Sequence, residues 1–246
     1  LFKESKEILL TISKYDIFYT ESRLILADFN NENSFEKEAI NILKELIKTQ
    51  EKSSEIYELL GNIYRYHEKF DLAQEAYSEA IYLLQNSEFD NNNLWLLYFF
   101  RGIALEQLKN YEKSKQDLRK SLAMMPDQPQ VLNYLGYMLI EQKENLEEAL
   151  GMIRKAVKIS PQSGYIIDSL AWGLYQLGRY SEAIGPMERA IELEPEDPIV
   201  NDHLGDVLWK VGRKREAYYQ WKKTLLFNPT PELKLEIEKK LDTGLP

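Results

Sequence analysis

Cysteine is absent from this 246-residue chain, and histidine occurs only twice, at His67 and His203. No disulfide frame and no thiolate metal site can therefore be built. Long apolar runs are missing too, since none approaches the roughly 18 residues that a helical membrane span requires. Basic charge is in the minority, 31 Lys and Arg against 40 Asp and Glu for a net charge of -9, which repels phosphate backbones and argues against a nucleic-acid partner. A glycine-rich phosphate loop, a nucleophile elbow and an HExxH motif are all lacking, so no catalytic residue, metal or cofactor is assigned. Residue 1 is Leu rather than Met, so the chain reads as processed or trimmed, with any signal, lipid anchor or further domain lying upstream.

What is present is a repeat. Pro161, Pro195 and Pro229 stand 34 residues apart, and each closes a near-copy of one two-helix pattern. Small residues recur in the first helices at Gly61, Gly102, Gly136, Ala171 and Gly205, at intervals of 41, 34, 35 and 34. The second helices keep step, with Ala73, Ser114, Ala149, Ala183 and Ala217, then Ala80, Ser121, Ala156, Ala190 and Thr224. A small residue is needed where a helix crosses its hairpin mate closely, and Tyr77, Leu118, Ile153, Met187 and Trp221 are the large side chains that fill the adjoining gaps. Each hairpin then leaves an apolar face that only its neighbour can cover. Leu170, Leu174 and Leu177 followed by Gly178 predict an amphipathic helix that ends at a glycine, with Tyr180 opening the next.

The pattern resembles the tetratricopeptide repeat (TPR), most fully in "DSLAWGLYQLGRYSEAIGPMERAIELEP" and "NDHLGDVLWKVGRKREAYYQWKKTLLFNP", over about residues 53–231. The resemblance implies an all-α, right-handed superhelical solenoid of helix-turn-helix repeats. The expected organisation is a leading helix and degenerate repeat over 1–52, where Ala39, Leu43 and Leu46 keep the second-helix rhythm. Repeats follow at 53–94, 95–128, 129–163, 164–197 and 198–231, then a capping helix and tail over 232–246. The 41-residue interval places an insertion near "NSEFDNNN", after the second helix of the repeat at 53–94.

In arrays of this kind the first helices line a concave groove, and the register places Tyr137, Ile140, Tyr165, Asp168, Trp172, Tyr175, Asp202, Asp206 and Trp209 in it. Aromatics with a polar rim suit a protein segment as partner, although the same rings could pack between adjacent first helices. A second apolar patch is expected in "LWLLYFF" at 94–100, where Tyr98 and Arg101 face the hairpin core while Leu96, Phe99 and Ile103 face the groove. The clamp by which some TPR proteins grip a C-terminal carboxylate needs Lys at the fifth repeat position. Here that position holds Glu58, Phe99, Asn133, Asp168 and Asp202, and Asn62 matches alone, so an apolar or basic segment is the preferred guest.

His67 is expected in a solvated turn, and His203, flanked by Asp202 and Asp206, as a hydrogen-bonded groove histidine or one of two metal ligands without an evident third. Lys210, Arg213, Lys214, Arg215, Lys222 and Lys223 form a basic end face. Pro186 is expected to bend its helix. Residues 130–246 are similar to a group of proteobacterial TPR proteins, many of them envelope lipoproteins. Some of these are adaptors of a periplasmic carboxyl-terminal processing protease, so the resemblance implies a scaffold or adaptor on the periplasmic side, with the cytoplasm as the alternative. A self-associating structural protein using Leu96, Phe99 and Ile103, or a regulatory segment of a larger enzyme, are the rival readings.

Overall fold

A computed structural model describes residues 2–49, 53–87 and 93–245. The part of the expected insertion at 88–92 lies outside the described residues. The chain is all-α, with helices packed pairwise as hairpins and no strand among the described residues. It divides into two compact units, residues 1–125 and 126–246.

The first unit opens with α1 (Phe2–Thr11) and continues as three hairpins: α2 (Tyr19–Glu32) with α3 (Glu36–Thr49), α4 (Ser54–Tyr66) with α5 (Phe70–Gln85), and α6 (Leu94–Gln107) with α7 (Tyr111–Met124). The second unit holds α8 (Pro129–Glu141) with α9 (Leu146–Ile159), α10 (Gly164–Gln176) with α11 (Tyr180–Leu193), and α12 (Pro198–Lys210) with α13 (Lys214–Thr224), followed by the single helix α14 (Pro231–Thr243). No described helix is long and apolar enough to cross a membrane.

The starts of α4, α12 and α14 carry side-chain caps, from Ser53, Asp197 and Thr230. Asp197 accepts from the backbone of Ile199 and Val200 at 2.8 and 2.9 Å, and Pro198 follows where a missing N–H costs nothing. Helix ends are set by one motif used six times. At the turn inside each hairpin a residue takes positive φ: Ser34, Glu68, Lys109, Lys143, Gly178 and Gly212. The next residue donates its N–H back across the turn, as Phe35 to Asn30, Lys69 to Tyr64, Asn110 to Leu105, Glu144 to Leu139, Arg179 to Leu174 and Arg213 to Leu208, at 2.8–2.9 Å. This Schellman closure satisfies carbonyls that the helix end would otherwise leave open. Pro186 lies inside α11, which continues through it to Leu193.

The hairpins cross where the small residues stand. A Cβ on Gly61 would lie 2.7 Å from the Tyr77 ring, on Gly102 3.0 Å from Leu118, and on Gly136 2.6 Å from Ile153, while at Gly205 it would collide with the Trp221 indole. All ten small second-helix residues are fully buried, at 0% exposure. At the one crossing that carries alanine, Ala171, the filler is Met187, whose unbranched chain adapts to a tighter gap, and both are buried in one core cluster. The degenerate first hairpin obeys the same rule. Ala27 stands 34 residues before Gly61 and is buried in one cluster with Leu43, just as Ala39 and Leu46 are.

Gly205→Ala is expected to destabilise the protein by about 1–3 kcal/mol, because Trp221 is fully buried and cannot withdraw. Gly151→Ala, on an exposed helix position with nothing within 4 Å of its added methyl, is expected to stabilise by about 0.5–1 kcal/mol. Urea unfolding of the two variants checks the contrast, and equal effects would remove the crossing argument.

Candidate interaction face of the second unit

The first helices α8, α10 and α12 lie side by side, and α14 takes the next place in the row. Each is tied to its neighbour by a polar link. Trp172 on α10 donates its indole N–H to Glu141 on α8 at 2.8 Å. His203 on α12 meets the Asp168 carboxylate on α10 through Nδ1 at 2.9 and 3.0 Å, and because a carboxylate only accepts, Nδ1 carries the proton. Lys240 on α14 donates to Asp202 at 2.7 and 2.9 Å and to Asp206 at 3.0 Å, and Asp206 also accepts from the Trp221 indole at 2.9 Å. Past the helix, the Trp209 indole N–H reaches the Leu245 carbonyl at 3.0 Å.

The aromatic residues gather on the same face. The Trp172 ring is parallel to Tyr175, centroids 4.8 Å apart, and to His203 at 4.0 Å. Tyr175 also meets Tyr180 at 5.2 Å, and Trp209 packs on Tyr218 and Trp221 with Lys214 over it at 4.6 Å. Tyr137, Trp172, Tyr175 and Trp209 remain partly exposed, and Tyr165 is 56% exposed. Burial and the nearby Glu141 and Asp168 charges push the Tyr137 hydroxyl well above its usual range, and burial with Asp206, Tyr180 and Asp202 does the same for Tyr175.

Four residues expected in an open groove are closed off. Ile140 is fully buried because Gly173 on α10 leaves room for its side chain. Asp168, Asp202 and Asp206 are buried in the links just described. The physical reason is that an unpaired carboxylate would be costly at a helix seam, and His203 and Lys240 supply the partners. His203 thus bonds a residue of the preceding first helix rather than the carboxylates beside it in sequence. Among the described residues no group of three or more His, Asp or Glu side chains is arranged to hold a metal.

Other expectations fall as follows. His67 is not simply solvated, since Nε2 lies 2.9 Å from the Asn31 side chain of the preceding hairpin. Asn62, the lone clamp match, accepts from the Tyr77 hydroxyl at 2.8 Å. Leu96, Phe99 and Ile103 are each partly exposed, while Tyr98 is buried and Arg101 grips Asp117 of its hairpin mate at 2.6 and 2.9 Å. In the basic cluster Arg213 is held by Glu188 and Glu216, and Lys210 and Lys223 lie over Tyr180 and Phe227. Lys240 and Leu245 were not expected at the site. Lys240 stands 34 residues after Asp206, which is the signal in the register that points to it.

Residues 54–85 and 99–164 match two family models described as tetratricopeptide repeat. Over these two stretches the chain is similar to the tetratricopeptide repeat, and its paired helices have that helix-turn-helix form. A TPR repeat-containing protein of Pseudomonas aeruginosa is 30% identical over 83 residues, which is 34% of this chain and 14% of that protein's length. Among solved structures, MamA of AMB-1 aligns with a TM-score of 0.56 at 22% identity, covering 77% of this chain and 99% of that one. A thermophilic TPR protein of Thermus thermophilus aligns at 0.62 and 18% identity, covering 77% and 99%. A chain of the APC/C hetero-tetramer Cut9-Hcn1 aligns at 0.75 and 18%, covering 92% of this chain and 42% of that chain. At these identities the structural likeness speaks for the fold.

The buried charges set a pH response. Burial pushes the Asp202 and Asp206 carboxyls up against the pull of Lys240, whereas His203, which burial alone would push down, is raised by Asp168, Asp202 and Asp206. Each group binds its proton more tightly folded than unfolded, so its stabilisation is full at acid pH and fades as pH rises through the folded value. The urea midpoint is expected to climb as pH falls from about 8 to about 5, and Asp202→Asn is expected to flatten that slope. A wild-type midpoint that falls over this range would contradict the assignment.

Proposed function

We propose that this chain is a non-catalytic scaffold or adaptor that holds a segment of another protein on the first-helix face of its second unit. The observation that carries this reading is the part-open aromatic surface of Tyr137, Trp172 and Tyr175, with Trp172 locked by Glu141 and by the parallel rings of Tyr175 and His203. Rigid aromatics present large contact area at little entropic cost, which is why they anchor interfaces. Tyr165 and the open edge of Trp209 extend the surface, and the net charge of -9 favours an apolar or basic guest. The resemblance of residues 130–246 to envelope TPR lipoproteins supports a periplasmic setting, with a carboxyl-terminal processing protease as the partner to try first. The hetero-tetramer named for one structural relative supports binding of a second chain.

A second reading, self-association through Leu96, Phe99 and Ile103, rests on their partial exposure along one helix. Sedimentation at high concentration separates the two.

Crosslinking with mass spectrometry in the native organism should identify the principal partner. Tyr137→Ala/Tyr175→Ala, with its fold verified by circular dichroism, is then expected to weaken that complex about tenfold or more. Undiminished binding would remove the face from consideration.

A further inference from the structure

The most exposed large apolar side chains among the described residues are Ile17 and Tyr15, at 88% and 86%, and Phe18 beside them is 57% exposed. They sit on the turn between α1 and α2, and that turn is ordered. The Tyr19 N–H donates to the Asp16 carbonyl at 3.0 Å, and the Asp16 side chain accepts from the Phe18 N–H at 2.9 Å. Arg23 of α2 ties the end of α1 to it, donating to the Leu9 and Ile12 carbonyls at 2.9 and 3.1 Å. Three large apolar side chains are thus held out to water on a fixed backbone, which marks a contact surface. Beside this knob is a hole. A cavity of about 440 Å³ opens between α1, α2 and α3, with Leu10, Tyr19, Leu26, Ile42 and Leu46 as its apolar walls. Tyr19 follows Phe18 directly, so knob and hole are neighbours on one surface. Charge at this end is balanced. Residues 1–25 hold four Lys or Arg against four Asp or Glu, and the cavity rim sets Lys6 and Arg23 against Glu38 and Glu45. The whole chain carries -9, so two copies repel over most of their surface but not here.

We propose that this end is a homodimer contact, in which Ile17 of each copy, flanked by Tyr15 and Phe18, enters the cavity of the other beside Leu10. A surface that carries both a knob and its hole closes on itself about a two-fold axis, and each copy supplies the charge balance that the other meets. Because the turn is already ordered, little conformational freedom is lost on docking. The contact lies on helices other than the one that bears Leu96, Phe99 and Ile103, and it adds to the scaffold reading without depending on it.

Sedimentation equilibrium of the full chain is expected to show a dimer at about 100 μM. Ile17→Asp and Leu10→Lys alter side chains that are 88% and 53% exposed, so circular dichroism should report an unaltered fold for each. Either change alone is expected to raise the dimer dissociation constant about tenfold or more. An equimolar mixture of the two variants is expected to associate at least about tenfold more tightly than either by itself. The mixed dimer keeps one native contact and sets the new carboxylate against the new ammonium at the other. A monomer at this concentration, a dimer indifferent to both changes, or a mixture no stronger than the single variants would each overturn the proposal. A dimer broken by Phe99→Asp but not by Ile17→Asp would overturn it in favour of a contact through α6.

Discussion

Everything else in this chain depends on how closely the two helices of each hairpin cross. The crossing puts a glycine or alanine of the first helix under the largest buried side chain of the second, and Tyr77 and Trp221 are fully buried there. Such a contact tolerates neither a larger first-helix residue nor a smaller filler without strain or a void. Because one geometry recurs, the turn that precedes it recurs as well. That is why six Schellman closures appear in step, four of them on residues other than glycine. Holding Ser34, Glu68, Lys109 and Lys143 at positive φ costs free energy, so tertiary packing rather than local preference decides the turn.

Stacking the hairpins creates a second requirement at the seams between first helices. In the second unit each of these seams carries a hydrogen bond or ion pair between adjacent helices of the row. A one-turn slip of α14 past α12 would leave Lys240 and two carboxylates buried without partners, at a cost of several kcal/mol. The links thus fix register more than they add stability. They also explain how α14, with few buried side chains, has a single place to sit.

The fold was largely legible because its period is written in residue size. Gly61 with Tyr77 and Gly205 with Trp221 could be paired from the sequence, since the spacing alone puts them at one crossing. The first hairpin was harder because α2 lacks a clear amphipathic pattern, and Ala27, in perfect step with Gly61, has the same appearance as any alanine. The candidate face was legible in part. Register showed which side chains leave the hairpin cores, but not which ones the next helix would take. Asp168 and His203 lie 35 residues apart, and nothing in a linear chain distinguishes that pairing from the nearer Asp206. Lys240 is one of several charged residues in the sequence of α14, and only its place across from Asp202 and Asp206 of α12 singles it out.

The division between closed and open residues on this face has a physical basis. Carboxylates at a helix seam must find cations, so the repeat itself consumes them: Asp168 by His203, and Asp202 with Asp206 by Lys240. Aromatic rings face no such demand, because a ring can cover a neighbour with one surface and leave the other to water. Trp172 and Tyr175 do this, stacked yet partly exposed. The fold thus uses up the carboxylates of this face, and what it leaves open to water are rings that it has already immobilised.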